Sequence, residues 1–398
     1  MKLGNLTRGK WGVYGFIAGA LVVLLLLAGL PACAPAAEEE VAYDKYVASL
    51  PEGCLPVPQD CFDQAMVEGQ LNIYNWAEWF PQDLYDDFTK EFGIEVVQDY
   101  FGDYEEMLAK FKLYPELEYD IVVPGTKTFG RLEALGVVQE LNHDWIPNVQ
   151  KYQTRELAEK IWVEPWETNG FRYSVPFDFG VTCYAYNSKY VDDPRIPSWS
   201  ALLEPDEKYW GRITMLDDIV DGPGAALIYL GYSYNSNDED ELREAKELLL
   251  EQKPKLLGYD SAPRRAVMEE EVWIYQIWTG DVWWHRQDMP SIELALPAEG
   301  SVVATDAFVI PAGSPNTAAA HLFMNYYFRP QVNAYVTGII GYAPVNAGAF
   351  EYLPEEVKNF PGLTISAEYL QKVVLASPEA YSGEGLELRS ALWEELKS

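Results

Sequence analysis

"LNIYNWAEWFPQDLYDDFTKEFGIEVVQDYF", residues 71–101, decides the fold. "LNIYNW" alternates apolar and polar positions as a strand does. Pro81 then opens a helix, Leu84, Phe88 and Phe92 mark one face of it, and Gly93 closes it. "IEVVQDYF" is a second strand. The rhythm continues with a helix in "YEEMLAKFKL" and a buried strand in "YDIVVPG" that ends at Pro124 and Gly125. A third helix follows in "TFGRLEALG". A βαβαβα order predicts a parallel sheet covered on both faces. Ligands bind beyond the carboxyl ends of such strands. Asn75, Trp76 and Thr126 fall just there.

A second α/β unit starts near "YSVPFDFGVTCYAYN". Its helices are signalled by "SWSALLEP" and "DELREAKELLLEQ", and a strand, "VWIYQIWTG", leads into "DVWWHRQ". "SIELALP" and "VVATDAFVIP" read as strands that carry the chain back, and a helical tail runs from about Ala319. Crossings near Ser174–Val175 and Gly300–Val302 would form a hinge. One lobe would hold residues 70–174 and 302–362, the other 175–301 and 363–398.

The chain has 398 residues, too many for one ordinary core. Its net charge of −33 repels nucleic acid and favours cations. Lys2, Arg8 and Lys10 precede the apolar run "GVYGFIAGALVVLLLLAGLPAC", the pattern of a secretory signal. "LPAC" resembles a bacterial lipobox with Cys33 as the lipidated first residue; an uncleaved membrane anchor is the competing reading. Residues 34–69, with "APAAEEE", read as a tether. Within it, Cys54 and Cys61 are placed for a small disulfide loop in an oxidising compartment. Cys183 reads as a buried thiol. No spacing of metal ligands, Gly-rich phosphate loop or GxSxG elbow occurs, and no cofactor is expected.

"YNWAEWFPQDLYDDFTKEFGIEV", "YDIVVPGT", "VPFDFGVTCYAYN", "MEEEVWIYQIWTGD", "ATDAFVIP" and "GIIGYAPVN", in this order, resemble the bacterial spermidine/putrescine-binding proteins, solute receptors of ABC importers. The resemblance covers about residues 70 to 398. It implies the type II periplasmic-binding-protein fold, with two α/β lobes, each a mainly parallel sheet flanked by helices, closing on a ligand by hinge motion. It implies that Trp76, Glu78 and Trp79 line the pocket, and that Asp218 and Asp221 hold a terminal amine. Trp278 and Tyr342 become wall rings and Asp306 the carboxylate for an inner amine. Thr126 and Lys127 follow the third strand, Lys127 where the family carries a ring. Ala304 stands where it has Trp, Asp260 where it has Ser, and its C-terminal Gln has no clear counterpart, Glu384 being nearest. The partners implied are a small cationic amine and a permease, for a monomer exported to the periplasm or the outer face of the membrane.

The residues alone allow this chemistry. A polyamine is a methylene chain studded with ammonium groups; rings cover methylenes and attract charge, and each ammonium leaving water needs carboxylates. Blander accounts stand beside it. Trp76 and Trp79 could be core rings at a strand-to-helix corner. "LDDIVD" could be a helix N-terminus. Trp278 alone reads as core, and Trp283 and Trp284 as packing. Asp178 is either a pocket acid or a turn residue. Lys127 would repel an amine unless Asp260 neutralises it or it points away. Asp306, an acid inside a buried strand, is the strongest single candidate. Other functions remain open: a receptor for an amino-acid-like solute, with Lys127 meeting an anion, or an exported carbohydrate-active enzyme using paired carboxylates.

Overall fold

The computed structural model describes residues 42–77, 79–377, 380 and 383–398. The lipidation candidate Cys33 and the pocket candidate Glu78 lie outside them.

The opening stretch folds as its pattern dictates. Strand β1 (Gln70–Trp76) runs into a helix, Gln82–Phe92, that buries Leu84, Phe88 and Phe92 and ends at Gly93 with φ +71°. A side chain is strained in that left-handed region, which is why glycine stops the helix there. β2 (Glu95–Phe101) and β3 (Ile121–Val122) both pair with β1 in parallel. Two further strands complete the first sheet: β4 (Ser174–Pro176) and β11 (Ala307–Val309), in the order β2-β1-β3-β11-β4.

The second sheet is built on β5 (Asp178–Asn187), a strand buried along nearly its whole length. Its main path adds β6 (Ile213–Met215), β7 (Gly258–Tyr259), β8 (Ile274–Trp278), β10 (Ser301–Ala304) and β13 (Val373–Leu375), in the order β13-β10-β5-β8-β6-β7. β9 (Ile292–Ala295) and β12 (Ala343–Pro344) also pair with β5. The expectation of mainly parallel sheets needs correction. β5 runs antiparallel to β8, β9, β10 and β12, and β11 runs antiparallel to β3 and β4. The physical reason is connectivity: a strand that arrives from the other sheet enters against the local direction.

Among the described residues the chain passes between the sheets three times, the last through the helices between β11 and β12; the first two passages are short. These two lie at Phe177, between β4 and β5, and at Thr305–Asp306, between β10 and β11. Both points lie a few residues beyond the expected hinge positions.

The expected tether also needs correction. Residues 43–49 and 59–68 are helices, and they bury Tyr46, Cys61, Phe62 and Ala65 in the core of the first sheet. Glu68 caps the helix Thr317–Tyr327 by accepting from the backbone N–H groups of Ala318 (3.2 Å) and Ala319 (2.7 Å). Cys54 and Cys61 are free thiols, not a disulfide. Cys61 faces the carbonyl of Ala318 at 3.8 Å, while Cys54 meets Gln331 at 3.6 Å. Helix docking directs the two sulfurs to different neighbours.

Candidate functional site

A cavity of about 430 Å³ lies where the strand ends of both sheets meet. Its size suits a small ligand. Six aspartates and one lysine line it: Asp103, Asp178, Asp218, Asp221, Asp281, Asp306 and Lys127. Its rings are Trp76, Trp79, Tyr104, Trp278, Trp284 and Tyr342.

The first two crossings supply the central acids. Asp178 opens β5 and Asp306 precedes β11. The backbone N–H of Asp306 donates to Asp178 Oδ1 at 3.3 Å, and the Tyr104 hydroxyl donates to Asp306 Oδ1 at 3.0 Å. Asp178 Oδ2 is buried with no hydrogen-bond partner among the described residues. Burial raises the Asp306 carboxyl to about 7, against the lowering effect of the Tyr104 hydrogen bond. Burial also pushes Asp178 well above the usual carboxylate range, and repulsion from Asp306 adds to it. Two acids held this way prefer to share a proton or to receive a cation.

A third acid completes this cluster. Asp281 lies in the first turn of the helix Thr279–Asp288, and burial lifts it to about 6 even though the Tyr342 hydroxyl donates to it at 3.1 Å. The Tyr342 hydroxyl feels the negative charge of Asp281, Asp178 and Asp306 together. The ring of Tyr342 packs on Trp79, centroids 5.0 Å apart, and Trp79 meets Trp284 edge-on at 6.2 Å. Trp76, at the end of β1, packs edge-on against Tyr104 at 4.8 Å.

Lys127 and its partners carry a different charge pattern. Lys127 Nζ lies 2.8 Å from Asp218 Oδ2 and 2.9 Å from Asp221 Oδ2. Asp218 Oδ1 also accepts from the backbone N–H groups of Val220 and Asp221, both at 2.8 Å, so it closes the N-terminus of the helix Asp221–Tyr229 as well. Burial works against the Asp218 charge, but Lys127 and those N–H groups outweigh it and hold the carboxyl below its ordinary value. Asp221, with a side chain only 1% exposed, is shifted upward by burial despite Lys127, and Asp218 contributes to the rise.

The cavity thus gathers Trp76, Trp79, Thr126, Lys127, Asp218, Asp221, Trp278, Asp306 and Tyr342 from the expected set. Thr126 donates to the Thr305 carbonyl at 3.2 Å and ties the β3 loop to the second crossing. Trp278, read alone as core, does both jobs: it packs against the cores and donates to Asp221 at 3.2 Å. Asp260 is a correction. It does not line the cavity, and its carboxylate accepts from the Ala262 N–H at 2.8 Å as a turn residue does. Glu384 is exposed on the C-terminal helix, away from the cavity lining. Asp178 resolves as a cavity acid. Asp281, Tyr104 and Trp284 were missed; the acid directly after "WTG" at a strand-to-helix junction was the available signal.

Two sheets joined by crossing strands, with an acidic, ring-walled cavity at the crossings, are the build of a ligand-capturing receptor. The chain belongs to the bacterial extracellular solute-binding protein family, whose sequence model matches residues 83–365. It is 33% identical to the spermidine/putrescine-binding periplasmic protein of Salmonella typhimurium over 76% of this chain and 85% of that one. It is 32% identical to the protein of the same description from Escherichia coli, over 76% of this chain and 84% of that one. Its fold matches the spermidine/putrescine ABC transporter substrate-binding protein PotD of Streptococcus pneumoniae, with a TM-score of 0.73 at 24% identity. That match covers 82% of this chain and 98% of the other.

Proposed function

We propose that the chain is the solute receptor of an ABC importer, that it captures a polyamine of the spermidine/putrescine class, and that it passes the ligand unaltered to the permease. The observation that carries the ligand class is the acid cluster at the hinge. Asp178 and Asp306 face each other across the first two crossings, raised by burial and close to Asp281. An ammonium group placed among them would replace a shared proton with a paired charge. The rings of Trp76, Trp79, Trp278 and Tyr342 would cover the methylenes, each cation–ring contact contributing ~0.5–2 kcal/mol.

Closure follows from the position of these acids. A cation bridging Asp178 and Asp306 ties the two crossing strands together, so the ligand favours the closed arrangement by its differential affinity for it. The hinge is placed at Phe177 and Thr305. The lobes of this reading then divide at those two points, so that β4 stays with the first sheet and β10 with the second. The body works outside the cytoplasmic membrane, held there through lipidated Cys33, and acts as a monomer. An amino-acid-like ligand is less well served, because the cation it would need, Lys127, already meets two carboxylates.

Calorimetry and thermal shift with putrescine, cadaverine and spermidine test the reading. A ligand bound only by the folded state raises stability by about 2.7 kcal/mol at 100 times its Kd. Mass analysis of the recovered ligand should return it unchanged; turnover would sink the receptor reading. Absence of binding by every amine at millimolar concentration would sink the polyamine reading.

A further inference from the structure

We infer that Lys127 is a built-in ammonium occupying the Asp218–Asp221 amine subsite, and that it makes this receptor select a short diamine over a triamine. The inference rests on the polyamine reading above and adds the specificity of the site.

The acceptors of the acid pair are engaged from within the chain. Asp218 gives Oδ1 to two backbone N–H groups and Oδ2 to Lys127. Asp221 gives Oδ1 to the Tyr234 hydroxyl at 2.5 Å, and Oδ2 to Lys127 and the Trp278 indole. Another ammonium brought to this wall would meet a like charge beside it and carboxylates that each already accept three hydrogen bonds from within the chain. Asp178, Asp281 and Asp306 line the same cavity, and no ion pair joins any of them to a lysine or arginine among the described residues, whereas Lys127 is paired with Asp218 and Asp221. A ligand whose ammonium groups both fit within that one cluster is accepted. A longer chain must push its last ammonium towards Lys127, where like charges repel.

Lys127 also bridges the cleft. It follows β3 of the first sheet, while Asp218 and Asp221 follow β6 of the second. Its charge therefore supplies, within the protein, an inter-sheet contact that a ligand ammonium could otherwise make.

The test is a matrix of putrescine and spermidine titrated by calorimetry into the wild-type chain, Lys127→Met and Lys127→Arg, with circular dichroism confirming the fold of each. The wild type should bind putrescine at least about tenfold more tightly than spermidine, a difference of ~1.4 kcal/mol. Lys127→Met should erase or reverse that ratio, because a ligand ammonium then reaches the acid pair, and Lys127→Arg should keep it. Equal affinities in the wild type overturn the inference even if Lys127→Met does not fold. An unchanged ratio in folded Lys127→Met overturns it too. Absence of amine binding by the folded wild type overturns the polyamine reading itself, an outcome distinct from binding without selectivity.

Discussion

Asp306 is where a proton and the proposed amine would compete. Its carboxyl stands at about 7 because burial disfavours the charge, and the Tyr104 hydrogen bond only partly offsets this. An arriving ammonium stabilises the charged form, so the complex binds fewer protons than the free protein. Affinity should therefore rise with pH as the buried acids of the cluster ionise, by roughly tenfold per pH unit for each proton displaced, since one unit corresponds to ~1.36 kcal/mol. Calorimetry between pH 5.5 and 8.5, in buffers of different ionisation enthalpy, measures both the slope and the released proton; a flat profile with no proton release would remove Asp306 from the site. Stability of the free protein has the matching sign. A carboxyl raised above its unfolded value contributes stability at low pH and loses it as pH rises through about 7. Asp306→Asn keeps the shape and removes the charge, and should weaken amine binding by about 30-fold or more, given the ~2–5 kcal/mol typical of truncating one partner of a buried charge pair. Asp306 and the rings of Trp76 and Tyr342 were legible because each sits in a distinctive local motif. The partners of Lys127 were not, because Asp218 and Asp221 lie 91 and 94 residues away and only folding brings them opposite it.

At the level of elements, the wall ring of Tyr342 is set by two glycines. A Cβ on Gly280, in the helix Thr279–Asp288, would stand 1.9 Å from the Tyr342 ring, and one on Gly180, in β5, would stand 2.6 Å from it. The ring thus sits against bare backbone on both sides, which keeps its hydroxyl on Asp281. Gly280→Ala should displace the ring, lower stability by about 1–3 kcal/mol as overpacking does, and weaken amine binding. Melting curves and titrations check it, and full-strength binding would show that Tyr342 does not touch ligand. The first strands and helices were legible because Pro81, Gly93 and the spacing of Leu84, Phe88 and Phe92 mark boundaries and a face. The helices at 43–49 and 59–68 were not. They are short, framed by Pro51, Pro56 and Pro58, and gain their order from docking on the helix Thr317–Tyr327 rather than from a strong local pattern. Strand direction was equally hidden, since β5 and β11 enter their sheets directly from the other sheet, against the local direction, and no local pattern records that.

For the molecule as a whole, the net charge of −33 and the six aspartates of the cavity predict how a cation arrives. A diamine diffuses through negative potential, and such steering speeds association by roughly 10- to 1,000-fold. The effect acts at long range and is screened, since the Debye length falls from about 30 Å at 0.01 M salt to about 3 Å at 1 M. In the proposed complex the controlling contacts would be those with Asp178, Asp281 and Asp306, whose carboxyls are buried and therefore far less screened. Salt should thus slow binding and leave release nearly unchanged. Stopped-flow fluorescence can separate the two, because Trp76, Trp79, Trp278 and Trp284 line the cavity and report its occupancy directly. The association rate constant for putrescine should drop about tenfold or more between 0.01 M and 0.5 M sodium chloride, with the dissociation rate constant shifting by no more than a few fold. An association rate indifferent to salt would mean that the charge is spread without direction towards the cleft. A dissociation rate that climbs steeply with salt would mean that the ammonium contacts are open to solvent, contrary to the proposed binding at the buried acids of the crossings.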